Sequence, residues 1–114
     1  MRKHPFVLAA LMLATLSFAG NTFAIEKGND RKGKYTYRKV YTACHARGEV
    51  DSPKPPISPD AKTMAQWEEV FTTKAFDEFG CKTEWEALSE ADLSDIFSYL
   101  YKHAADSPTP AKCN

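Results

Sequence analysis

The chain is predicted to be all-α, on two observations. Apolar residues recur at helical spacing in three separate stretches: Tyr37, Val40, Tyr41 and Cys44; Met64, Trp67, Val70 and Phe71; then Leu93, Ile96, Phe97, Leu100 and Ala104. Residues three and four apart share one face of a helix, so each set forms a stripe that a core can cover. No segment alternates apolar and polar residues as a half-buried strand does.

The first 24 residues stand apart from this pattern. Arg2, Lys3 and His4 make a basic start, and Phe6 to Ala19 is a run of 14 apolar or small uncharged residues. Thr22-Phe23-Ala24 then places small residues at the first and third positions of a cleavage site. Residues 1–24 therefore read as a secretory signal peptide, and the run is too short for a membrane span. The product is expected to be periplasmic or secreted, with no membrane insertion after cleavage. Cleavage would leave 90 of the 114 residues, with 13 of the 15 basic residues against all 15 acidic ones. That slight acidity gives no reason to expect nucleic acid as a partner. A domain of this size buries only a modest core and gains from a staple such as a disulfide or a buried prosthetic group.

Residues 25–33 are polar and read as an N-terminal arm. Asn29 or Asp30 can cap a first helix over about 32–46, which Gly48 stops. Asp51 to Pro59 is rich in proline and reads as an extended loop. Ser58 followed by Pro59 resembles an N-cap with proline at the first helical position, predicting a second helix over 59–72. A short turn carrying Ala75, Phe76 and Phe79 ends at Gly80. Thr83 with Glu86, and Ser89 with Asp92, are spaced as capping boxes. The second opens the last helix, expected over 90–104. Residues 105–114 contain two prolines and read as an irregular tail.

The chemistry-bearing segment is Tyr41-Thr42-Ala43-Cys44-His45. Covalent haem attachment uses Cys-x-x-Cys-His, in which two thiols add to the haem vinyl groups and the histidine ligates iron. The second cysteine and the histidine are present here, and Tyr41 stands in the place of the first cysteine. Gly33, Tyr37, Tyr41, Cys44, His45 and Gly48 resemble the N-terminal helix of class I c-type cytochromes. The run from Leu88 to Leu100 is similar to that family's last helix, with its capping serine, acidic residues and Tyr-Leu pair.

This resemblance spans about Gly33 to Ala104. It implies a small orthogonal fold over residues 34–104, with the N- and C-terminal helices packed together. It implies haem c with a single covalent link at Cys44, His45 on the iron and Tyr41 beside the free vinyl. The implied activity is electron transfer with redox partner proteins rather than enzymatic catalysis. Met64, His103 or an open position are the alternatives for the other side of the iron. A loop carbonyl, with Pro55 the first choice, would accept the His45 ring proton, and Trp67, Tyr37 and Phe97 would wall the pocket. Three cysteines leave an odd one: Cys81 can pair with Cys113 while Cys44 is kept for haem, or Cys113 stays apart. The competing reading is a haem-free exported helical interaction module on the same frame.

Overall fold

The computed structural model describes residues 26–111, so the expected signal segment and Cys113 lie outside the described residues. Among the described residues there are four α-helices and no strand: α1 Asp30–Ala46, α2 Met64–Thr73, α3 Lys82–Glu86 and α4 Glu90–Lys102. Single 3-10 turns at Pro59–Ala61 and Asp77–Phe79 flank α2. No helix among these residues is long and apolar enough to cross a membrane.

Helix α1 starts earlier than its apolar stripe, taking in residues 30–33 of the expected arm. Asn29 is the cap, its side-chain oxygen accepting the Lys32 N–H at 3.0 Å. The preceding chain is tied to α4, because the Gly28 N–H donates to Ser98 Oγ (2.6 Å) and the Asn29 N–H to Asp95 Oδ1 (2.8 Å). Gly33 is where α1 and α4 meet. A Cβ built on it would lie 1.8 Å from the Asp95 carbonyl oxygen, so only glycine admits this approach. The packing of the first helix on the last is thus a backbone-to-backbone contact. At the other end Gly48 adopts φ +87°. Its N–H donates to the His45 carbonyl at 2.9 Å, and that of Glu49 reaches the Cys44 carbonyl at 3.2 Å, closing the helix in a Schellman motif.

Helix α2 does not begin at Pro59. Ser58 turns its hydroxyl to the Asp60 carboxylate and caps nothing, so the proline starts only one 3-10 turn. Lys62 is extended, and Thr63 opens α2 through a reciprocal capping box with Gln66. Lys74 ends the helix in the left-handed region at φ 56°.

The expected Thr83–Glu86 box does not form. Thr83 lies inside α3, and the left-handed Cys81 is its N-cap, with no side-chain cap bond. The Ser89–Asp92 box does form and opens α4. That helix stops at Lys102, short of residue 104, because the tail folds back on its end. Thr109 Oγ1 donates to the Lys102 carbonyl at 3.1 Å, and the Ala111 N–H to that of His103 at 3.0 Å. As far as Ala111 the tail is irregular but packed, and Ser107 is buried.

The core lies between α1, α2 and α4 and is largely aromatic. Trp67, Phe71, Phe79 and Trp85 are buried with their rings in mutual contact, and Phe76 stacks on Trp85 at 4.7 Å.

Candidate functional site: the Cys44–His45 segment

Consecutive residues on a helix point about 100° apart. Cys44 belongs to the buried stripe of α1 and is wholly enclosed, whereas His45 is exposed to solvent. The Cys44 sulfur is bonded to that of Cys81, with the two Cα atoms 5.8 Å apart. Cys81 therefore does not pair with Cys113. Gly80 (φ 66°) and Cys81 (φ 53°) both take left-handed backbone, and this double turn swings the Cys81 side chain onto α1. The link spans 37 residues of sequence and stabilises the fold by about 4 kcal/mol on the chain-entropy estimate.

His45 places Nδ1 3.0 Å from the Val50 carbonyl oxygen. The Gly48 turn returns the chain so that Val50, not Pro55, supplies this acceptor. Pro55 instead lines a shallow groove with Tyr37, Arg38, Thr42 and Tyr99. The proline loop is fastened there by the Tyr37 hydroxyl, which donates to the Ile57 carbonyl at 2.6 Å.

Tyr41, at the missing-cysteine position, is a core residue. Its hydroxyl donates to the Phe79 carbonyl at 2.9 Å and accepts from Trp85 Nε1 at 3.3 Å. Burial pushes its pKa up to about 12, against a smaller lowering by the Trp85 hydrogen bond. Burial raises Tyr37 further still, with the neighbouring Tyr41 adding to it. Trp67 is fully buried and donates its indole N–H to the Pro59 carbonyl at 2.8 Å. Phe97 is buried and packs on Phe71.

The two alternatives for the far side of iron are placed elsewhere. Met64 is half-buried in a groove with Lys27, Gly28 and Asp30, at the start of α1. His45 is in the last turn of the same helix, about 22 Å along its axis at 1.5 Å per residue. His103 caps the end of α4, where Nδ1 meets the Thr109 carbonyl at 2.8 Å and the ring packs on Tyr99.

These residues do not fit a haem in this conformation. The thiol that would form the thioether is consumed in a disulfide. His45 faces away from the core, Met64 is at the far end of α1, and aromatic side chains fill the interior.

Beside the disulfide lies a pair that sequence reasoning did not single out. Arg47 donates to both oxygens of Glu84, at 2.9 and 2.8 Å. That hydrogen bonding holds the Glu84 carboxyl below its usual range. The residues are 37 apart in sequence, and no local motif announces them. The Cys44–Cys81 pairing was equally hidden, since three cysteines allow three pairings. Gly80 alone marked the turn that delivers Cys81. No family model, curated protein or solved structure matches this chain.

Proposed function

We propose that this chain is an exported, haem-free helical interaction module on a frame resembling a c-type cytochrome. The observation that carries the reading is the state of Cys44, bonded to Cys81 inside an aromatic core. The disulfide and the packed rings take over the stapling role that a prosthetic group fills in a domain of this size. No electron-carrying group is then needed to hold the helices, and recognition falls to the exposed faces. The acidic residues Glu68, Glu69 and Asp77 are exposed, with Glu78 paired to Lys62 at 3.0 Å, and their charge would attract a basic partner.

A second reading, a monohaem electron carrier, is favoured by one feature. The Nδ1–Val50 contact leaves the other His45 ring nitrogen facing outward, as a metal-ligating histidine is oriented by its second nitrogen. One experiment separates the two. The exported protein is purified from a host equipped for haem attachment, and its spectrum, mass and alkylation are measured. The proposal expects a colourless protein in which Cys44 and Cys81 are alkylated only after reduction. A Soret band surviving denaturation and acid extraction would overturn it in favour of the electron carrier.

A further inference from the structure

The disulfide has a third potential donor at its side. One Glu84 carboxylate oxygen and the sulfurs of Cys44 and Cys81 all lie within 4.8 Å of one another. These are two soft donors and one hard one, the mixture that suits zinc. From this arrangement we infer that the reduced protein holds one Zn2+ between Cys44, Cys81 and Glu84. The inference rests on the Cys44–Cys81 pairing of the proposed function and extends it with a metal site.

The step that opens the site is a two-electron reduction. A dithiol reductant becomes a cyclic disulfide, the S–S bond breaks, and each protein sulfur takes a proton. Zinc binding then releases those two protons as two Zn–S bonds form. Tetrahedral coordination with Zn–S bonds of about 2.3 Å places the two sulfurs about 3.8 Å apart. Rotation about the two Cα–Cβ bonds supplies that separation, since the side chains already point at each other. The charges close as well. Two thiolates and the Glu84 carboxylate carry −3, and Zn2+ with the adjacent Arg47 carries +3; the Glu49 carboxylate, 3.6 Å from Arg47, is exposed and screened by water. A net-neutral cluster is what a poorly hydrated site tolerates. Arg47 is a positioning residue here, fixing the carboxylate by two hydrogen bonds. Entry is from the Glu84 side, whose side chain keeps 13% of its exposure while both cysteines are enclosed. The fourth coordination position is left to water.

The test uses the full mature chain, reduced with a phosphine that becomes its oxide with water's oxygen. Zinc is titrated against a chromogenic chelator, with Cd2+ as an ultraviolet probe of thiolate coordination. Helix content is followed by circular dichroism. The expected result is one Zn2+ per reduced chain, none per oxidised chain, and a thiolate-to-cadmium charge-transfer band. Glu84→Gln should weaken zinc binding about tenfold or more, and Arg47→Ala about tenfold. Cys113→Ser should bind as the parent does. If reduction unfolds the chain, recovery of helix on adding zinc supports the site, and failure to recover overturns it. A reduced, folded chain that binds no zinc also overturns it. So does a Glu84→Gln affinity equal to the parent's, or binding that needs Cys113. Alkylation before reduction reports separately on the disulfide, so loss of the pairing and loss of the metal site are distinguishable.

Discussion

At the scale of single residues, Tyr41 shows how one position redirects a segment. A cysteine there would complete a haem-attachment motif, whereas tyrosine sends a long polar-tipped side chain into the core. Its hydroxyl satisfies the buried Phe79 carbonyl and the Trp85 indole N–H together. Tyr41→Phe keeps the ring and leaves both groups without this partner. It should destabilise the fold by about 2 kcal/mol, read as a lower urea midpoint at unchanged m-value. The motif itself marks position 41 as the departure. What replaced the missing chemistry was not visible, because both partners of the hydroxyl lie about forty residues away.

At the scale of elements, helix cores were legible and helix ends only in part. The stripes follow from spacing alone; those of α1 and α4 are buried throughout, while on α2 Trp67 and Phe71 are buried and Met64 and Val70 only partly so. Ser89 and Asp92 cap α4 because both halves of the box are local. Ser58-Pro59 misled because the serine hydroxyl had a nearer acceptor in Asp60, leaving Thr63 to cap α2. The end of α2 carries strain of a recognisable kind. Lys74 holds φ 56°, a conformation that costs a residue with a Cβ about 1 kcal/mol. Lys74→Gly should therefore raise stability by up to about 1 kcal/mol despite losing the exposed Lys74–Glu90 pair. Thermal unfolding of the two proteins checks this.

At the scale of the whole molecule, the contact between α1 and α4 organises the rest. Gly33→Ala would drive a methyl into the Asp95 backbone, and the helices would have to separate. Overpacking at a rigid contact costs about 3 kcal/mol or more, expected as a steep fall in melting temperature or loss of soluble protein. The same core sets the response to alkali. Tyr37 and Tyr41 have folded-state pKa values above the ordinary value of 10.0, both chiefly through burial. The unfolded chain ionises first, so stability holds below pH 10 and falls as pH rises from there through about 12. Denaturant midpoints measured from pH 8 to 12 should show this plateau and decline.

Short-range patterning in the sequence was enough for the all-helical class, the inward stripes and the Ser89 cap. All are written in spacing of a few residues, and local sterics and hydrogen bonding read them directly. The tertiary structure alone decided that Cys44 joins Cys81, that Val50 meets His45, and that Met64 lies far from both. The disulfide depends on where a left-handed turn delivers a side chain across the fold, and Met64 on how α2 and the tail settle against the start of α1. The Val50 contact is closer in sequence, but it depends on how tightly the Gly48 turn closes. Those placements follow from how the whole aromatic core packs, which no short window of sequence contains.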